Sequence, residues 1–356
     1  MFHDVRAGEI PRTVRQDLRT LYDFYLDEDR RASLSRMHPM RRAFAVPYWI
    51  LRSLLLKLTP LRRLFLAIAF ALAFLGGMRA HIGDFDVSFN STPWAFLIVL
   101  FILMLELKDK VLARDEIAVA RQVQLALLPS VDPQPPGFAL WSHTRPANDV
   151  GGDLIDYIDD PAKGTLGVAL GDVAGKGLGA ALLMAKLQAS LRATASDSPS
   201  LSALAVRLNG ILCRDGLDNR FATLFYAVIP AGAPGTPLRC LNAGHNPPLL
   251  ARHGEVEQVP PGGRPLGMFP DSTYAEQTLA LEPDDLLIIY SDGLVEARDA
   301  NESEFGLDRL LRLAPVLRRH PLAEAGRHLL AEIDRFLGPN RPHDDLSIIL
   351  LKRLAS

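Results

Sequence analysis

Cysteine is nearly missing from this 356-residue chain: Cys213 and Cys240 stand far apart and outside any CxxC spacing. Their scarcity excludes a disulfide framework and a thiolate zinc site, and it fits a reducing compartment. Net charge is missing too, since 39 Lys and Arg against 41 Asp and Glu leave −2, which gives no sign of a nucleic-acid partner. The opening stretch MFHDVRAGEIPRTVRQD lacks a contiguous apolar core and reads as no signal peptide. There is no internal repeat and no low-complexity tract.

The near-neutral total hides an asymmetry. From Arg30 to Arg63 there are nine Arg or Lys and no Asp or Glu. Two apolar runs follow. Leu64 to Met78, LFLAIAFALAFLGGM, would span about 22 Å as a helix, short of a ~30 Å hydrocarbon core. The second, WAFLIVLFILML, runs from Trp94 to Leu105 and reaches a spanning length only by counting polar residues back to Val87. Arg62 and Arg63 precede the first run, Lys108 and Lys110 follow the second, and the connection RAHIGDFDVSFNST is short. Positive charge on both outer flanks is the pattern of a two-helix transmembrane hairpin over 64–105, with both ends in the cytoplasm of a bacterial inner membrane. The alternative is a buried helical pair in a soluble domain, which would make the whole chain cytoplasmic. The expected organisation is therefore a basic helical region over 1–63, the hairpin over 64–105, a linker helix over 106–129 and a second domain over 130–356. The stretch 106–128 contains no Gly or Pro, and Leu112, Val119, Val123 and Ala126 form a narrow stripe on it. That stripe either seats a partner helix in a homodimer or packs on the domain that follows.

From about Phe138 short apolar runs alternate with glycine-rich or proline-rich turns: TLGVALGDV, FATLFYAVI, PLRCLNAG, DDLLIIYSDG and LSIILLK. Many are apolar on both faces, as strands covered on both sides are. Helical stretches lie at Leu178 to Ala193, Leu201 to Cys213, Leu307 to Leu317 and Leu322 to Leu337. Together they predict layered sheets flanked by helices.

Aspartates punctuate this pattern. Asp153 follows Gly151 and Gly152, Asp172 ends one apolar strand, Asp292 ends another before Gly293, and Asp344 and Asp345 open the last. One aspartate at a strand end is an ordinary turn former. Four such places in one domain, with no histidine or cysteine cluster to compete, favour a hard cation, Mg²⁺ or Mn²⁺. Two enzyme classes use a GGD turn of this kind. A GGDEF-type nucleotide cyclase needs an acid and then an aromatic after it; Leu154 and Ile155 stand there instead, and a cyclase has no use for Asp172, Asp292 or Asp344. A metal-dependent phosphatase uses all of them.

The strings RQVQLALLP, RPANDVGGDLIDY, LGDVAGKGLGAALLMA, FATLFYAVI, LNAGHNPPLL, GGRPLGM, YSDGLVEARD and HDDLSIILL occur in order from about Arg121 to Lys352. In them the chain resembles the PPM-type (protein phosphatase 2C) serine/threonine phosphatases, and among these the bacterial SpoIIE/RsbU branch. The resemblance leaves residues 1–105 uncovered. It implies an α+β fold, a four-layer α-β-β-α sandwich of two antiparallel sheets flanked by helices. It implies hydrolysis of phosphoserine or phosphothreonine by water activated between two Mn²⁺ or Mg²⁺ ions, with no covalent enzyme intermediate. Asp172 matches the acid bridging the two ions and Val173 supplies a carbonyl ligand. Asp153 lies at the edge of the site, and Asp292 and Asp344 complete the second metal's shell. Asp153 and Asp172 thereby stand as the catalytic pair. The partner it implies is a phosphorylated protein of the anti-sigma-factor antagonist kind in a partner-switching circuit. A membrane-anchored, catalytically silent phosphoprotein-binding module is the alternative function.

Other polar residues carry weaker signals. Lys176 is either a phosphate contact or a solvated loop lysine; His245 is either a general acid or a side chain fixing its loop. Glu296 and Asp156 are expected to orient neighbouring backbone or outer-shell waters. Arg145 has no spacing that demands a phosphate, and Ala180, Ala181 and Ala185 mark close helix packing.

Overall fold

The computed structural model describes residues 39–75, 77–82, 85–215, 220–230, 236–340 and 342–355. The chain divides into two compact units, Met1–Ala113 and Arg114–Ser356, and the boundary falls inside one long helix.

In the first unit, helix α1 (Pro39–Lys57) is followed by α2 (Pro60–Leu75), a ribbon of β1 (Gly77–Ile82) and β2 (Phe85–Asn90), and the start of α3 (Thr92–Leu127). Pro60 and Pro93 sit at helix starts, where a missing N–H is lost without penalty. Helices α2 and α3 run antiparallel. Arg62 bridges Glu106 and Asp109 at 2.6 Å each at one end, and Ser91 Oγ donates to the Leu72 carbonyl at the other. Ala69, Ala95 and Ile102 are buried between them.

The transmembrane hairpin expected over 64–105 is not supported here: among the described residues, no helix is long and apolar enough to cross a membrane. The first run is cut at Leu75, where the chain turns into the β-ribbon instead of continuing to Met78. The second run starts α3 at Thr92 and meets Glu106, Lys108 and Asp109 before an apolar span is complete. The expected linker helix over 106–129 is the continuation of this same helix. Of the basic region over 1–63, residues 1–38 lie outside the described residues.

The second unit holds two five-stranded antiparallel sheets. One has the order β10-β7-β6-β5-β4, built from β4 (Leu154–Asp160), β5 (Thr165–Val173), β6 (Ala222–Pro230), β7 (Leu238–Ala243) and β10 (Glu276–Leu279). The other has the order β3-β12-β11-β8-β9, from β3 (Phe138–Arg145), β8 (Leu249–Ala251), β9 (Val256–Gln258), β11 (Leu286–Tyr290) and β12 (Leu346–Arg353). Helices α4 (Leu178–Thr194) and α5 (Leu201–Asp215) cover the first sheet, while α7 (Leu307–Arg318) and α8 (Leu322–Leu337) cover the second; α6 (Asp292–Val295) is a single turn.

Period-2 alternation sorts each strand between two cores. In β11, Leu287 and Ile289 join Val168, Leu170, Phe225 and Ile349 between the sheets, whereas Leu286, Ile288 and Tyr290 pack beneath α7 and α8. On the other side, Ala169 and Val173 pack with Met184, Leu187 and Leu208 under α4 and α5. Three cores between four layers make the α-β-β-α sandwich. The four expected helices fall within two residues of those observed.

Helix α8 lies so close to the second sheet that a Cβ at Gly326 would stand 2.4 Å from the Trp141 ring. Gly326→Ala gains helix propensity of about 1 kcal/mol but overpacks against the rigid, partly buried Trp141 ring. The overpacking wins, and urea denaturation should show a net loss of about 1–2 kcal/mol. A stabilised variant would mean that α8 can lift off the sheet.

Candidate metal centre

Strand pairing brings the acids together. Strand β4 pairs antiparallel with β5 in the register Leu154↔Gly171, so Asp153 and Asp172 are the next cross-strand neighbours. In the other sheet Tyr290 pairs with Ile348, which sets Asp292 just beyond the end of β11 beside Asp344 and Asp345 before β12. Both sheets thus deliver carboxylates to the same end of the sandwich.

Asp345 ties the two ends together. Its Oδ1 accepts from the Ala147 N–H at 2.7 Å and its Oδ2 from the Gly152 N–H at 2.5 Å. The close approach of chains at this junction needs bare backbone. A Cβ on Gly293 would lie 2.1 Å from the Asp345 carbonyl oxygen, and one on Gly152 would lie 3.0 Å from the Val173 carbonyl oxygen. The glycines before Asp153 therefore admit the Val173 carbonyl to the neighbourhood of the acids. Gln124, on α3, closes the turn from outside: its Nε2 donates to the Gly151 carbonyl at 2.7 Å and its Oε1 accepts the Gly151 N–H at 3.0 Å.

The electrostatics are those of carboxylates short of positive charge. Asp153 is buried and neither of its oxygens has a hydrogen-bond partner. Burial, then the charge of Asp172, pushes its carboxyl well above the usual range. Burial followed by Asp344 and Asp345 raises Asp172 to about 6; burial followed by Asp172 and Asp344 raises Asp292 to about 7. Among the described residues no three His, Cys, Asp or Glu side chains converge tightly enough to form a ready-made metal cage. The donor chemistry nevertheless fits a hard divalent cation: oxygen-only groups, one carboxylate with both oxygens unsatisfied, and an adjacent peptide carbonyl. Lys176 supplies the local countercharge, with its Nζ 3.1 Å from Asp344 and donating to the His343 carbonyl at 2.8 Å.

The remaining expectations resolve residue by residue. Lys176 is an exposed loop lysine that also pairs with Asp344 at the rim. His245 is buried and neutral, its pKa lowered to about 4 by burial. Its ring Nδ1 shares a hydrogen bond with Thr223 Oγ1 at 2.8 Å and its backbone N–H donates to Asn242 Oδ1, so side chain and backbone together fix the loop after β7. Glu296 is exposed, and its charge adds to the rise of Asp292. Asp156 orients neighbouring backbone, its Oδ1 accepting the Tyr157 N–H at 2.9 Å, and it is fully buried and held at both oxygens by Arg192 of α4. Arg145 binds Asp334 of α8, while Ala180 and Ala181 are buried in helix packing. Sequence reasoning missed Asp345 and Gln124 as organisers of the turn.

These pKa directions carry a sign. Between about pH 4 and 7 the folded, metal-free protein retains protons on Asp172 and Asp292 that the unfolded chain releases, so these groups lose stability as pH rises. His245 acts oppositely between about 4 and 6.5, where the unfolded chain binds the extra proton. Metal-free Asp292→Asn should therefore be more stable than the parent at pH 8 by about 1–3 kcal/mol and nearly equal to it at pH 4 in urea titrations. Equal stability at both values would remove the strained-carboxylate account.

The family model for Stage II sporulation protein E (SpoIIE) matches residues 162–354. Protein IcfG of Synechocystis is 31% identical over 237 residues, covering 58% of this chain and 36% of that protein. Phosphoserine phosphatase RsbU of Bacillus subtilis is 26% identical over 244 residues, covering 67% of this chain and 70% of RsbU. Among solved structures, the SiaA-PP2C domain of Pseudomonas aeruginosa superposes with a TM-score of 0.59 at 21% identity, covering 69% of this chain and 99% of that one; this likeness is one of fold. With more than half of its length matched by the SpoIIE model, on the two-sheet frame that gathers Asp153, Asp172, Asp292 and Asp344, the chain belongs to the SpoIIE family, in the SpoIIE/RsbU branch of the PPM-type phosphatases.

Proposed function

We propose that the chain is a divalent-metal-dependent protein phosphatase that hydrolyses phosphoserine or phosphothreonine. The observation that carries this reading is Asp153, a buried carboxylate with no hydrogen-bond partner, set across the strand ladder from Asp172. In this reading Asp153, Asp172, Asp292, Asp344 and the Val173 carbonyl would hold a pair of Mn²⁺ or Mg²⁺ ions, Asp172 contributing to both. Bound ions would supply a polarised water and offset charge on the phosphoryl group. The protein's own part is positional. Asp345 and Gln124 hold the turn that presents Asp153, and Lys176 keeps a cation beside Asp344 at the rim. Cys240 offers no nucleophile: it is buried within a strand, and burial raises its thiol to about 12.

RsbU bears the name phosphoserine phosphatase, which supports a phosphoserine substrate. The substrate of this reading is a phosphorylated regulator of the anti-sigma-factor antagonist kind in partner-switching signalling, met in the cytoplasm. A homodimer through 106–128 belongs to the same reading. Val119 and Val123 are 59% and 55% exposed, so they do not pack on the catalytic unit, which takes Gln124 instead.

Full-length protein should release phosphate from a phosphoseryl protein with Mn²⁺ and stop with EDTA. Asp172→Asn should lower turnover by about 10²-fold or more, because it weakens every ion at once. His245→Ala should cost less activity, and its loss should track a loosened fold. Undiminished turnover of Asp172→Asn at saturating Mn²⁺ would reject the bridging role. Absence of phosphate release from any phosphoprotein would favour the silent binding module.

A further inference from the structure

The first unit carries a surface that the phosphatase reading leaves unused. Along the first half of α3, Trp94, Phe96, Phe101, Leu103, Met104 and Leu107 are all more than half exposed, and on α2 Phe74 is 95% exposed. At about 100° per residue, the exposed apolar positions from Trp94 to Leu107 sweep roughly 220° of the helix. Only the arc of Ala95 and Ile102 faces α2. One partner helix covers a stripe about 100° wide, so a sleeve this broad suits a fluid apolar medium rather than a second helix.

Charge points to the same occupant. The nine basic residues and no acid between Arg30 and Arg63 directly precede the sleeve, with Arg41, Arg42, Arg52 and Lys57 on α1. Arg62 is paired with Glu106 and Asp109, and an anionic lipid surface is the occupant that offsets the rest of the block.

Length excludes a crossing. The apolar stretches 64–75 and 94–105 are each about 18 Å long as helices, against a hydrocarbon core of ~30 Å. They end at the Arg62–Glu106–Asp109 cluster on one side and at the β-ribbon on the other, whose sequence includes Arg79, His81 and Asp86. An upright pose would carry those charges into the middle of the bilayer.

We propose that α2 and the first half of α3 lie in the headgroup boundary of an anionic membrane, sunk from one side without crossing it, with Arg41 and Arg52 of α1 on the phosphates. This anchoring does not depend on the phosphatase reading. The test mixes full-length protein with preformed vesicles of phosphatidylcholine, with or without 30 mol% phosphatidylglycerol, and measures flotation. Binding should rise about tenfold with the anionic lipid and fall in high salt. Phe74→Ser combined with Phe96→Ser should reduce flotation at least fivefold while leaving catalytic turnover on a soluble phosphoprotein unchanged, since both side chains are exposed. A Cys placed at exposed Asn90, in a chain with Cys213 and Cys240 replaced by Ala, should be fully labelled by an impermeant thiol reagent added outside the vesicles. No flotation, together with a dimer that Phe74→Ser combined with Phe96→Ser dissociates, would replace the membrane with a second copy on the sleeve. Protection of the Asn90 cysteine would show a crossing hairpin. Either result overturns the proposal.

Discussion

The catalytic unit is organised around mutual repulsion between carboxylates that the fold does not allow to separate. Asp153 and Asp172 are neighbours across the last rung of the β4–β5 ladder, and Asp292 and Asp344 arrive from the other sheet. Three of these acids are pushed upward first by burial and then by one another. The frame that imposes this is apolar and continuous, with three cores separating four layers, so relief cannot come from a shift of strands. It has to come from charge. A proton or Lys176 gives partial relief; a divalent cation on oxygen ligands gives more.

The same constraint explains why backbone and small residues crowd the junction. Asp345 spends both oxygens on the N–H groups of Ala147 and Gly152, and Gly293 leaves room for the Asp345 carbonyl. Ser291 and Ser347 hold the second sheet's end with reciprocal bonds: the Ser347 N–H donates to Ser291 Oγ, and the Ser291 N–H donates to the Ser347 carbonyl. These contacts fix where carboxylates point before any ligand arrives, which is the preorganisation a metal-assisted hydrolysis uses. Gln124 adds a bidentate amide from α3 to the same turn, so the helix leading into the domain is itself part of the frame.

Much of this was legible in the chain. Strands apolar on both faces, such as TLGVALGDV and LSIILLK, announced sheets covered on both sides, and β5 and β12 lie where those strings stand. Aspartates at their ends announced the site. What could not be read was which carboxylate serves structure: Asp156 and Asp345 look like their neighbours in sequence, and only tertiary partners, Arg192 for one and two peptide N–H groups for the other, separate them. The N-terminal part was legible only in part. Apolar composition and flanking charge suggested a crossing; the charges from Glu106 onward that end the second run stand in the sequence, whereas the turn into a β-ribbon after Leu75 does not show there.

The central claim is that the gathered acids are a cation site whose carboxyls hold protons when no cation is bound. Titration calorimetry of the metal-free protein with Mn²⁺ at pH 6.5, repeated in buffers of differing ionisation enthalpy, counts the protons displaced. The account predicts release of at least about one proton per chain at pH 6.5, fewer at pH 8.5, and loss of binding in Asp172→Asn. Binding with no proton release at either pH, or binding unchanged in Asp172→Asn, would contradict it.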